Sequence, residues 1–306
     1  MSWQILSGTL EQGLMYAVMV VGVYLTFRVL NYADLSVDGS FTLGAAIAAT
    51  LIVSGYNPWL ATGAAFAGGV MAGIFTGVLH TKFKITPLLS GILTMTALYS
   101  INLRVMGKAN ISLLNTRTIF TDFTKLPFLE SYSVMVLSLV TVVIIGYFVY
   151  RFLLTEVGLA LRATGDNELM IQSQGVNIEI MKIMGLAISN GLVAFAGSYV
   201  AQNQQFADAG MGIGMIIAGL ASVIIGEVLI GTSSIGRTVM AVIFGGVMYR
   251  VIIALVLQLG LKPTDLKMVT AFIVIIALVS PGIKNKVFAL RDRAGAAKGE
   301  SHADNP

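Results

Sequence analysis

PWLATGAAFAGGVMAGIFTGVL, residues 58–79, runs from Pro58 to Leu79 without a charged side chain. The hydrocarbon core of a bilayer is about 30 Å thick and takes about 20 apolar residues of helix to cross. The stretch therefore has the length and composition of a membrane span. Gly69, Gly73 and Gly77 recur at every fourth position, on one face of that helix. A stripe of this kind lets a second helix approach backbone to backbone, so its first reading is packing between spans.

The same pattern extends along the chain. Thr9–Phe27, Ile85–Met106, Tyr132–Phe152, Ile180–Ala201, Gly212–Ile230, Thr238–Leu257 and the shorter Val269–Ser280 read as further spans. Ser40–Ser54 is apolar but short, and it follows the polar run Asn31, Tyr32, Asp34, Ser36 and Asp38, which is the pattern of a broken span. The fold class is an all-α integral membrane protein, a polytopic bundle of about 8–9 transmembrane helices over residues 1–282 with a folded cytoplasmic hairpin. Composition agrees, because 56% of the 306 residues are hydrophobic and 11% are charged. A soluble domain carries about 25% charged residues, so an ordinary cytosolic enzyme is excluded.

Cysteine is absent, and the two histidines, His80 and His302, fall in no metal-ligand spacing. Disulfide, thiolate and zinc chemistry are set aside on that basis, with no metal site expected. The net charge of +4 fits loops on the cytoplasmic side rather than a nucleic-acid partner. Placing segments 28–38, 80–84, 151–182, 232–237 and the tail after residue 282 in the cytoplasm gathers twelve of the 19 Lys and Arg there. Arg250 is left inside a span. The basic tail 283–306 then lies in the cytoplasm and is expected to be disordered, while loop 107–131 is extracytoplasmic. The N-terminus is outside if Ser40–Ser54 crosses fully and inside if it is re-entrant. The first residues lack a basic flank, so the first apolar run is expected to be retained as a span.

One cytoplasmic segment is neither apolar enough to span nor polar enough to be a free loop: TEVGLALRATGDNELMIQSQGVNIEIMK, residues 155–182. Leu159, Ala160, Leu161 and Ala163 start a short helix that Gly165 is expected to end with positive φ. Asp166 or Asn167 then caps a second helix carrying Leu169, Met170 and Ile171, ended by Gly175. The result is a helical hairpin over residues 156–175. Apolar side chains at such a tip need cover. Either a partner oriented by Arg162 and Glu168 supplies it, or the hairpin lies on lipid as an amphipathic element.

Gly158, Leu161, Arg162, Ala163, Asn167, Gly175, Val176 and Asn177 resemble the cytoplasmic coupling loop of ATP-binding-cassette importer permeases, in the branch that includes the branched-chain amino-acid and simple-sugar permeases. The run RVLNYADLSVDGSFTLGAA, residues 28–46, is similar to the second segment of the same permeases. Its VDGSF core resembles the subgroup named for tryptophan and related aromatic amino acids. The likeness covers Gly13 to Gly282 and excludes the loop from Lys108 to Ser131 and the tail. Asp34 and Asp38 depart from the branched-chain pattern. The resemblance implies a permease subunit of an ATP-driven importer, multi-pass in the cell membrane, that forms the path for a small solute, an amino acid with aromatic ones favoured. It further implies two cytosolic ATP-binding subunits, a second permease chain in a homodimer and an extracytoplasmic substrate-binding protein. Gly158, Leu161, Arg162, Gly165, Asp166, Asn167, Glu168 and Gly175 would then couple the chain to the ATP-binding subunit.

This chain carries no Walker A loop, because its GK pair, Gly107 and Lys108, is followed by Ala109. ATP and Mg are therefore expected on the partner subunit and no cofactor on this chain. An ionisable group inside the bilayer costs about 2.5–3.5 kcal/mol on insertion scales, so such groups mark cavities, pairs or interfaces. Asn31, Asp34, Asp38, Ser40, Asn102, Asn190, Glu227 and Arg250 are the candidate path residues. Each has a structural alternative: helix capping for Asp34 and Asp38, snorkelling for Glu227, interhelical hydrogen bonds for Asn102 and Asn190. Arg250 is deepest and demands an acid or a polar cavity. Broken helices with intramembrane acids also mark self-energised secondary transporters, which is the alternative function for a small polar solute. The folded hairpin separates the two readings. An intramembrane enzyme is set aside for want of a GxSxG elbow or a zinc spacing.

Overall fold

The computed structural model describes residues 3–123, 132–260, 265, 268–272 and 275. The tail 283–306 and most of the span read at Val269–Ser280 lie outside the described residues, as does the end of loop 107–131. Among the described residues six helical segments are long and apolar enough to cross a membrane. They are α1 (Trp3–Tyr24, continued by a π-helical turn at Leu25–Val29), α3 (Pro58–Thr81), α4 (Pro87–Met106), α6 (Ser133–Leu153), α9 (Ile178–Gln204) and α11 (Ile235–Gln258). Two apolar helices are shorter, α2 (Val37–Val53) and α10 (Met215–Ile230). Off the bundle lie α5 (Ile119–Phe123), α7 (Glu156–Asp166) and α8 (Glu168–Ser173).

The core is organised round α9, against which α1, α2 and α3 pack. The glycine stripe of α3 explains the closest of these contacts. A Cβ at Gly69 or Gly73 would collide with the backbone carbonyls of Asn190 or Leu186, and one at Gly77 would sit 2.8 Å from the Ile183 Cα. Bare glycine faces let the two backbones meet, which raises dispersion contact without side-chain ordering. Buried Tyr199, Phe41, Met15 and Met19 belong to one hydrophobic cluster at the centre of this packing.

Two strands, β1 (Asn110–Ser112) and β2 (Phe206–Asp208), pair antiparallel with Ile111 opposite Ala207. They tie the loop after α4 to the loop after α9. Leu113, fully buried, seals the join. This closes one end of the molecule; the opposite end carries α7 and α8 together with Arg28, Lys82, Lys84, Arg151, Lys182 and Arg237.

The break in the second span is shorter than the polar run Asn31–Ser40 predicts. In the π-helical turn Leu30 N–H donates to the Leu25 carbonyl at 3.0 Å, and Tyr32 N–H reaches back to Thr26 at 2.9 Å. Asn31 then takes φ 51°, a conformation that asparagine tolerates better than most residues. Helix resumes at Val37, so Asp38 and Ser40 belong to the first turns of α2 rather than to the break. The correction has a local cause: Ser36 N–H donates to Asp34 Oδ1 at 2.9 Å. That Asx turn closes the irregular stretch and lets helix start at once.

Candidate functional site

The eight polar residues read as path candidates fall into separate environments. Asp34 and Asn190 meet: Asn190 Nδ2 donates to Asp34 Oδ2 at 2.8 Å, and Ser36 Oγ donates to Asp34 Oδ1 at 2.5 Å. Asp34 is 2% exposed and Asn190 0%. This cluster is a sealed joint between the break and α9, with its carboxylate fully supplied with donors. Ser40 is likewise buried, and its hydroxyl has no hydrogen-bond partner among the described residues. Asp34 and Ser40, both read as path residues, are thus buried in this structure, at 2% and 0% exposure.

Asp38 does something else. Its Oδ2 accepts from Gly214 N–H and its Oδ1 from Ile216 N–H, both at 2.8 Å. The first amides of a helix have no partner within it, and α10 begins after Gly214 without a polar residue of its own to cap it. Asp38 supplies the missing acceptor from another helix, where a negative charge also suits the helix dipole. Thr42 Oγ1 takes Gly212 N–H at 3.0 Å. The glycine-rich run Gly210–Gly214 is thus a backbone cradle for α2.

Asp38 and Asn102 reach the same cavity of about 410 Å³, which Thr42, Met95, Tyr99 and Ile213 also line. Asn102 Nδ2 donates to the Gly39 carbonyl at 3.2 Å, while its Oδ1 is buried without a partner among the described residues. Tyr99 is 51% exposed. It belongs to a face of α4 on which Thr96, Ser100 and Arg104 are also exposed. The sequence reading passed over Tyr99 because a tyrosine within a span carries no charge to mark it.

Glu227 and Arg250 lie elsewhere. Glu227 accepts Arg28 Nε at 2.8 and 3.0 Å through its two oxygens and pairs with the Arg28 terminal amino group as well. Of the two surroundings expected for Arg250, an acid or a polar cavity, the structure shows the cavity, about 370 Å³ and lined also by Thr9, Gln12 and Gln258, and adds an aromatic face: the guanidinium carbon stands 3.4 Å from the centroid of the Tyr16 ring. Such stacking attracts a cation through the ring quadrupole. Asn31 is exposed beside the π-helical turn.

The hairpin is two helices joined at Asn167, whose side chain accepts from Met170 N–H at 3.0 Å. Gly175 has φ 83°. Gly165 is not the positive-φ stop expected of it, since α7 continues to Asp166. Its lack of a side chain serves close approach instead, because a Cβ there would collide with the Val29 carbonyl at the end of the π-helical turn. Gly158 sits equally close to the Phe152 carbonyl. The apolar residues of the hairpin also divide. Leu161 and Ile171 are buried against the bundle, at 0% and 5% exposure, whereas Leu159 and Leu169 stand out at 51% and 81%. On the bundle side Glu168 pairs with Lys182 at 2.7 Å. Arg162 and Asp166 line a cavity of about 650 Å³ between α7 and the π-helical turn.

Comparison with known proteins places these features in a family. The chain is 44% identical over 276 residues to a tyrosine transport system permease protein of Clostridioides difficile, covering 90% of each chain. An uncharacterized protein of Rickettsia prowazekii is 33% identical over 280 residues, 90% of this chain and 97% of that one. A ribose import permease protein of Haemophilus influenzae is 28% identical over 223 residues, 71% of this chain and 66% of that one. No solved structure matches the chain. Residues 5–279 match the model of the family described as branched-chain amino acid transport system / permease component, and the chain belongs to that family, as a multi-pass membrane permease of a multi-component transport system rather than an enzyme.

Proposed function

We propose that this chain forms, with a second copy of itself, the membrane path of an ATP-driven importer for an aromatic amino acid. Two cytosolic ATP-binding subunits would hydrolyse ATP with Mg, and an extracytoplasmic binding protein would deliver the solute. The observation that carries the reading is the α7–α8 hairpin: a folded element off the end of the bundle that leaves Leu159 and Leu169 uncovered, in a chain without a phosphate-binding loop of its own. Apolar side chains held out on a rigid tip suit a groove in a partner protein. The substrate class draws support from the tyrosine permease relative and from the cavity wall, where Tyr99 and Met95 offer an aromatic and a polarizable surface beside Asp38 and Asn102. That mixture suits a ring with a polar end.

The test is reconstitution in liposomes of the chain with its cognate ATP-binding subunits and binding protein. Uptake of labelled tyrosine or tryptophan should require ATP and all three components. Uptake by the purified chain alone, driven by an ion gradient, would establish the secondary transporter instead. ATP-dependent uptake of ribose without any amino acid would move the substrate to the sugar side of the family.

A further inference from the structure

The break in the second span is bracketed by an ion pair and a carboxylate cap, both to a single helix. Arg28, before the break, grips Glu227 near the end of α10, and Asp38, after the break, holds the amides of Gly214 and Ile216 at its start. From Gly214 to Glu227 is about 20 Å of helix at roughly 1.5 Å per residue. A rod of that length thus joins two places that the chain connects only through irregular backbone.

The ends of the rod meet different parts of the molecule. At one end Arg28 lies within the π-helical turn, and the carbonyl of the last residue of that turn, Val29, lies against α7 where a Cβ on Gly165 would collide with it. The other end is anchored at Asp38, on the wall of the cavity that Tyr99 and Asn102 share. A π-helical turn holds one residue more than an α turn, and such turns occur frequently at functional sites. The cavity of about 650 Å³ lined by Arg28, Asn31 and Arg162 leaves room for α7 to move against it. Along its length α10 packs backbone to backbone on α11, where a Cβ at Gly226 or Gly245 would strike the Ala241 or Ser222 carbonyl.

We propose that Arg28, Glu227 and Asp38 are positioning residues for transport: displacement of the α7–α8 hairpin is passed through the π-helical turn and the Arg28–Glu227 pair to α10, whose far end resets Asp38 and with it the cavity wall. The inference rests on the importer function proposed above. Its content is which contacts carry the motion.

Proteoliposomes holding the full complex, with binding protein and tyrosine, read three quantities: ATP hydrolysis, uptake, and retention of the ATP-binding subunit on the permease. Wild-type complex comes first, since a wild type without ATP-driven uptake overturns the proposed function and this inference with it. With a transporting wild type, Arg28→Gln and Glu227→Gln should keep subunit retention and most of the hydrolysis while uptake per ATP falls about tenfold or more, within the range of couplings between linked sites. Asp38→Asn, at the other end of the rod, should uncouple in the same way. The exchange Arg28→Glu with Glu227→Arg should bring uptake per ATP back to within about threefold of wild type, because it restores the pair with its charges reversed. Unchanged uptake per ATP in both glutamine variants overturns the inference. So does a parallel fall of retention, hydrolysis and uptake that the exchange leaves uncorrected, since that is the behaviour of a pair that only holds the fold.

Discussion

At Asp34 the carboxylate is turned inward to Ser36 and Asn190 and is 2% exposed, while Asp38, in the first turn of α2, spends both oxygens on the amides of another helix and still borders a cavity. The same residue type therefore serves as an internal joint in one place and as a helix cap on a cavity wall in the other. The two are separable by accessibility. In single-cysteine variants, made straightforward by the absence of native cysteine, Asn31→Cys and Asp38→Cys should react with a water-soluble maleimide, whereas Asp34→Cys and Ser40→Cys should resist it. The measurement is the labelled fraction in folded protein against an unfolded control. Equal labelling at all four positions would mean that the break is open to water along its whole length, against the burial of Asp34 and Ser40. Arg250 makes the related point for a cation, since it borders a cavity with Thr9, Gln12 and Gln258 and also stacks on the Tyr16 ring.

The hairpin shows how one element can be half core and half surface. Its caps were legible, because Asn167 and Gly175 sit where a helix start and a helix stop need them. The work of Gly165 was not legible. A glycine that ends a helix and a glycine that lets a backbone approach look the same in a sequence, and the choice depends on Val29, which lies far off in the chain. The division among leucines follows from the same packing. Leu161→Ala should cost about 2–5 kcal/mol, as for other fully buried leucines. Leu169→Ala, at a position 81% exposed, should stay within about 0.5 kcal/mol. Thermal unfolding in detergent should therefore separate the two strongly. Binding should separate them the other way, with Leu169→Glu releasing the ATP-binding subunit from a permease of unchanged melting temperature. Retained binding in that variant would show that the exposed tip is not the docking surface.

For the molecule as a whole, the spans were readable because apolar length and helical period are local properties, and α3, α4, α6, α9 and α11 start and stop within a few residues of their sequence bounds. Which faces meet is not local: Arg28 finds Glu227 across 199 positions, and Asp38 finds Ile216 across 178. Nothing in one sequence pairs such residues, so the polar groups could be named but not sorted into joint, cap and path. The outward faces of the bundle carry one more distinction. α6 turns Leu139, Val143 and Phe148 outward, a surface suited to lipid, with exposures of 49%, 58% and 66%. α4 is the least apolar of the six long segments, and its exposed side includes Thr96, Tyr99, Ser100 and Arg104. A guanidinium facing hydrocarbon is costly unless water or protein meets it, so on the proposed function the α4 face is the one expected to meet the path and a second copy. A two-fold interface brings a residue near the axis close to its own equivalent, and oxidation of single-cysteine variants in native membranes tests for this. Ser100→Cys should give a disulfide-linked dimer on non-reducing gels, and Val143→Cys on α6 should stay monomeric. Dimers from Val143→Cys with none from Ser100→Cys would place the second copy against α6 and leave the polar side of α4 in need of another partner.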